Sequence, residues 1–230
     1  MKRAFTLLEL IFIIVMIGIL AAFIIPRIKR DPLYMAALQV QSHIRYTQHL
    51  AMLDDRYDVN DKNTTGQVKW YKTRWQILFS INAGSATTNG GTAKLAYTIF
   101  SDNINNSTGN PNEGEVAIMP GNPSRRMTGG YNTSNALRYW HENFVGIKRM
   151  NLEEQYNITN VSFSSTCGSS TRLSFDYLGR PIKGNLRFDT SPYMFGDIIT
   201  LDCNITLTNA GGKSVVLTVK PETGFVKINY

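Results

Sequence analysis

Side chains able to do acid, base, nucleophilic or metal chemistry are few and scattered along this chain. The three histidines are His43, His49 and His141. His43 and His49 are not four apart, so they cannot form the helical pair that holds a metal ion. Glu153 and Glu154 are adjacent, and neighbouring side chains need not converge on one reacting atom. Asp54, Asp55, Asp58 and Asp61 fit no EF-hand spacing and read as a solvated turn. No glycine-rich phosphate loop, Gly-x-Ser-x-Gly elbow or His-Glu-x-x-His pair occurs. These observations predict a chain that is not an enzyme and holds no metal or cofactor. One region combines basic and aromatic residues, Arg125, Arg126, Arg138, Tyr139 and Trp140, as single-strand nucleic-acid binders do. They are candidate DNA contacts. The favoured reading is blander: a solvated loop, then a helix over about 135–144, capped by Ser134, with core contacts of its own.

The remaining chemistry lies in two cysteines, Cys167 and Cys203. Without nearby histidines they make no zinc site. If the domain is exported, they pair; reduced core thiols are the alternative. Cys203 shares the inward phase of Leu201 and Ile205, and Cys167 keeps the odd-numbered phase of Val161 and Phe163. A bond between them would contribute on the order of 3 kcal/mol. The chain has 230 residues and a net charge of +7, of which +6 remains when Lys2, Arg3 and Glu9 are set aside. That balance is compatible with nucleic acid or anionic surfaces without requiring them.

One carboxylate is conspicuous by its setting. Glu9 sits near the start of an apolar run from Phe5 to Ile25, preceded only by the short basic stretch of Lys2 and Arg3. A charge in such a run is costly in lipid and calls for a partner. The run is long for a signal-peptide core and lacks a small-residue cut after it. Flanking charge does not orient it, because Arg27, Lys29 and Arg30 follow it.

Phe5-Thr6-Leu7-Leu8-Glu9 resembles the class III signal of type IV pilins and type II secretion pseudopilins. The resemblance covers residues 1–30. It implies cleavage by a prepilin peptidase between Ala4 and Phe5 and N-methylation of Phe5. It also implies an assembly role for Glu9, which would meet the amine of Phe5 on a neighbouring subunit. Gly18 and Pro26 fall where the family weakens its helix. Ala4 stands where the family has glycine. A second resemblance, over shorter stretches, is to the minor H-type or FimT-like subclass. It is carried by Trp75–Phe79, Phe175–Pro181 and Thr223–Val226. DNA-binding members of that group have arginines around the final Gly-x-Val, where this chain has Lys227.

The resemblance implies a leader (1–4), a transmembrane and assembly helix (5–30) and a periplasmic globular domain (31–230), single-pass in a bacterial inner membrane with its N-terminus cytoplasmic. The implied partners are other pilins or pseudopilins, the peptidase, membrane lipid and, in the DNA-uptake variant, DNA. The expected role is a minor pseudopilin of a type II secretion pseudopilus. The alternatives are a minor type IV or competence pilin in DNA uptake, and a membrane-anchored binding domain that never polymerises.

The elements that must carry these residues follow from periodicity. Asp31-Pro32 reads as an N-cap and first helical residue. Leu33, Ala37, Val40, Ile44, Thr47 and Ala51 form one face of a helix reaching about Leu53. The period then falls to two at Trp75–Ile81 and Leu95–Phe100, with loop-rich sequence over 82–137. Strands follow at Val161–Ser164, Leu173–Asp176, Ile199–Thr208, Val215–Val219 and Val226–Tyr230, punctuated by turns at 209–212 and 221–224. The predicted class is α+β: a long N-terminal hydrophobic helix continuing into an amphipathic helix, which packs on one antiparallel meander in a pilin-like roll.

Overall fold

The computed structural model describes residues 6–24, 31–58, 60, 66, 69–81, 94–103, 105, 108–192 and 195–229. The chain divides into two compact units, Met1–Asp31 and Pro32–Tyr230.

In the first unit the apolar run forms α1, Leu7–Ile24, of 18 residues. At about 1.5 Å per residue it rises roughly 27 Å, less than the ~30 Å hydrocarbon core of a bilayer. Glu9 lies in its first turn and shortens the apolar stretch further. Among the described residues no helix is long and apolar enough to cross a membrane. Nor does α1 run on into the next helix. The second helix, α2, starts afresh at Pro32 after the non-helical Asp31. Proline disfavours helical geometry in the residue before it and has no N–H to extend a preceding helix. The expected continuous long apolar helix is therefore corrected, and single-pass membrane anchoring loses its structural support. Ala4, Phe5 and Pro26 lie outside the described residues.

The second unit is built around α2, Pro32–Leu53, whose buried residues are Leu33, Ala36, Ala37, Val40, Ile44, Thr47 and Ala51. Spacings of three and four keep these on one face. Two antiparallel four-stranded sheets share that helix. The first has β1 (Trp75–Ser80), β2 (Ala96–Ser101), β6 (Arg172–Phe175) and β7 (Pro181–Lys183) in the order β2-β1-β6-β7. The second has β5 (Ile158–Phe163), β8 (Cys203–Asn209), β9 (Ser214–Val219) and β10 (Val226–Asn229) in the order β10-β9-β8-β5. α2 packs against β1 and β6 of the first sheet and β8, β9 and β10 of the second. A small hairpin of β3 (Ile118–Met119) and β4 (Asn122–Arg126) and a short helix, α3 (Leu152–Tyr156), complete the unit.

The single meander expected over 161–230 is thus divided. Alternation shows that Leu173 and Phe175 lie in a strand but not which strand it joins, and β6 pairs with β1 through Ile77 opposite Leu173. β8 begins at Cys203 rather than Ile199, and Leu201, expected to face inward, is 65% exposed. The helix expected over 135–144 is only the 3-10 turn Asn135–Leu137, and Ser134 makes no side-chain cap.

Polar side chains flanking the apolar stripe of α2 lock it to its neighbours. On one side Gln41 and Arg45 donate to the carbonyl of Val226 at 2.8 and 3.1 Å, covering one carbonyl of the edge strand β10. Gln48 Nε2 donates to Thr223 O in the β9–β10 turn at 2.7 Å and to Gly179 O in the β6–β7 turn at 2.8 Å. Gly224, with φ +62°, fits beneath this clasp: a Cβ there would lie 2.6 Å from Gln48 Nε2 and 2.8 Å from Gly179 O.

On the other side Gln39 Nε2 donates to Tyr97 Oη at 2.7 Å and its Oε1 accepts from the Tyr156 hydroxyl at 2.8 Å. His43 Nδ1 lies 2.7 Å from the same Tyr97 oxygen. With Gln39 donating to that oxygen, the Tyr97 hydroxyl donates to a neutral imidazole. Burial holds His43 neutral by lowering its pKa to about 4, and burial raises that of Tyr97.

Gln48→Leu removes both donations and leaves two turn carbonyls to find water. The expected cost is about 1–3 kcal/mol, read from the urea midpoint of the folded chain. Gly224→Ala is expected to cost at least as much, because it adds both a clash and a left-handed residue.

Candidate functional site

The first turn of α1 is organised by two side chains. Thr6 Oγ1 accepts from the Glu9 amide at 3.3 Å. Glu9 Oε2 in turn accepts from the Thr6 amide at 3.4 Å and the Thr6 hydroxyl at 3.3 Å. This is a reciprocal capping box, which satisfies two of the backbone donors that a helix start leaves open. It also sets a carboxylate at the positive end of the helix dipole. The signal is present in the sequence as Thr-x-x-Glu directly before an apolar run. Beyond the cap, Leu7, Phe12, Ile14 and Ile17 are 77, 69, 61 and 61% exposed. Leu10, Ile13 and Leu20, around the rest of the helix, are also exposed. A helix apolar on every side needs apolar cover.

The basic and aromatic residues lie near one another but are largely engaged. Arg125 Nη1 donates to Phe144 O at 3.2 Å and to Gly146 O at 3.4 Å. Arg126 lies in β4, half-buried, with its amide on Val145 O. Arg138 donates to Asn135 Oδ1 at 3.1 Å. Tyr139 is 7% exposed, with Trp140 edge-on at 4.7 Å and Phe144 at 5.5 Å between ring centroids. Its ring therefore has little surface open to a stacking base. Trp140 is exposed. The adjacent carboxylates Glu153 and Glu154 both pair with Lys94, at 3.1 and 3.2 Å. Among the described residues no group of three or more His, Cys, Asp or Glu can hold a metal ion.

Cys167 and Cys203 form a disulfide with Cα atoms 4.9 Å apart, both fully buried. Cys167 reaches it from the 3-10 turn Ser165–Cys167 after β5 rather than from a strand, and Cys203 opens β8. With the partners 36 positions apart, reduction should cost roughly 4 kcal/mol. Comparing thermal melts of oxidised chain with Cys167→Ala/Cys203→Ala checks this; equal melting temperatures would show that the bond carries no stability.

Two buried groups titrate abnormally in opposite senses. His43 charges near 6.5 when unfolded but at about 4 when folded. Between those values the unfolded chain binds more protons, so this group lowers stability as pH falls from 6.5 to 4. Asp189 is pushed up from 3.8 to about 6, first by burial and then by the nearby Asp197. The folded state binds more protons in that window, so this group lowers stability as pH rises from 3.8 to 6. The two slopes oppose each other across the shared range. His43→Gln should leave a chain that loses stability on going up in pH there, and Asp189→Asn one that loses it on going down. Each tilt should be roughly 1 kcal/mol per pH unit. Denaturant midpoints across the range read both; parallel profiles for the two variants would refute the pairing of opposed groups.

No protein-family model, curated protein or solved structure matches this chain.

Proposed function

We propose that the chain is a subunit of a secretion filament of the pseudopilin kind, acting by assembly rather than catalysis. The observation that carries this reading is α1: apolar on every side, exposed from Leu7 to Leu20, and bearing one carboxylate in its first turn. Similar helices from other subunits would supply the missing apolar cover. The Phe5-Thr6-Leu7-Leu8-Glu9 motif supports the same reading, with a prepilin peptidase exposing the amine of Phe5. In the water-poor core of such a filament, a carboxylate and an amine attract strongly, and either is costly left alone. That would fix the axial register of one subunit on the next. The buried disulfide supports export of the globular unit to an oxidising compartment, the periplasm.

Two roles for Glu9 must be separated, because the capping box needs the residue without any neighbour. Glu9→Gln keeps a capping-box side chain but removes the charge, whereas Glu9→Ala removes both. In the inter-subunit reading both variants fail to enter filaments, judged by cross-linking and shearing. If Glu9→Gln assembles normally while Glu9→Ala does not, the residue acts only as a cap, worth about 1 kcal/mol. Intact mass on the same material should give a chain starting at methylated Phe5. A persistent Met1 start in cells with active peptidase would sink the assembly reading.

A further inference from the structure

A cleft of about 360 Å³ opens in the second unit between the chain after α2, the start of β1, the β6–β7 turn, and Asp189, Pro192, Asp197 and Ile198. Its size falls in the range of small-molecule sites. Carboxylates outnumber cations on its wall, and the two arginines there are already engaged. Arg180 Nε meets Asp176 Oδ2 at 2.7 Å. Arg74 donates to Pro192 O at 3.0 Å and lies over the Trp70 ring, 5.1 Å from its centroid. Of the four wall carboxylates, Asp176 is paired with Arg180 and Asp55 accepts from the Tyr57 amide at 2.9 Å, so Asp189 and Asp197 remain. Asp189 is 8% exposed, and among the described residues no hydrogen bond or ion pair reaches its carboxylate. A buried carboxylate so placed carries a large desolvation cost that a cation would offset. The rings of Tyr57 and Tyr177 on the same wall are 53 and 51% exposed. Aromatic faces beside a carboxylate suit a cation carried on a methylene chain.

The geometry points to a binding site for a primary alkylammonium ligand, its ammonium held by Asp189 and Asp197 and its methylenes lying along Tyr57 and Tyr177. Two carboxylates without a third ligand do not suit a metal ion, and among the described residues no metal cluster forms. The carboxylate excess disfavours anions. The charged and titratable groups facing Asp189 are Asp197, which raises its pKa, Arg74 and Lys72, which lower it, and the Tyr71 hydroxyl. Lys72 is held by Arg187 O at 2.6 Å. Burial and Asp197 together outweigh both cations, because the carboxyl titrates at about 6. Ammonium binding therefore strengthens as pH rises through that value.

The test uses the full chain and cadaverine as probe, followed by calorimetry and by the Trp70 indole resonance, at pH about 7.5 and about 5. Saturable binding is expected at the higher pH. It should weaken about tenfold or more at the lower pH and in Asp189→Asn. Asp202→Asn should bind as the parent does, since its carboxylate pairs with Lys220 at 2.6 Å outside the cleft. Thermal melts establish that both variants fold. Absence of saturable cadaverine binding would overturn the proposal. So would equal weakening by Asp202→Asn, which would mean diffuse attraction, or binding of the neutral disaccharide cellobiose with none of cadaverine.

Discussion

One side-chain amide meets two carbonyls from different sheets. Gln48 Nε2 donates to Gly179 O and Thr223 O, and so joins α2 to the β6–β7 turn and the β9–β10 turn at a single point. Among the described residues the two sheets share no strand. What they share is α2, and the apolar stripe of that helix presses on both without fixing their relative turn positions, because hydrophobic attraction is non-directional. Hydrogen bonds supply the direction. Gln41, Arg45 and Gln48 do so for β10 and its turn, and Gln39 and His43 do so for Tyr97 and Tyr156. The close approach of Gly224 to Gly179 O follows from the clasp, and so does the need for a residue without a Cβ at that place.

This arrangement explains what was legible in the sequence. The buried face of α2 could be read from spacing alone, because a half-buried helix writes its burial into a period of 3.6 residues. β8, β9 and β10 were legible for the same reason at a period of two, and the Asn209–Gly212 and Pro221–Gly224 turns marked their limits. Strand partnership was not legible. β6 is buried at all four positions, so alternation carried no information about which sheet received it. Phe175–Pro181 and Thr223–Val226 stand in the sequence as separate short motifs. Nothing in their spacing said that one glutamine would bring them together.

Polar residues were harder to read than apolar ones, for a physical reason. Burial of a leucine depends on its own face of the helix, whereas the state of a titratable group depends on what the rest of the chain places beside it. His43 has the spacing of a helical surface residue, yet Tyr97 and the surrounding burial hold it neutral. Asp189 sits in a short segment without periodicity, and its perturbation arises from loss of water and then from Asp197. Tyr139 looked like a stacking platform because Arg138 and Trp140 adjoin it in sequence. Trp140 and Phe144 instead pack against its ring, while Arg125 donates to the Phe144 carbonyl and Arg138 to the Asn135 side chain and the Asn132 carbonyl.

The same distinction bears on Glu9, to which the proposed assembly would add a second physical role beside its cap. Within the chain, its carboxylate and Thr6 close the first turn of α1. That role needs only a short-range acceptor and works in water. Fixing the register of neighbouring subunits needs a full charge in a dry environment, since at an exposed site the attraction of an ion pair falls to a fraction of a kcal/mol. The roles are compatible in sequence order, because cleavage before Phe5 would put a new amine one residue upstream of the capping threonine. They are less compatible in energy. A carboxylate already accepting from the Thr6 amide and hydroxyl has part of its charge satisfied, so an incoming amine gains less from it than from a bare one. The capping box would then order the helix start before assembly, and the amine of a neighbour would compete with Thr6 for the same oxygen.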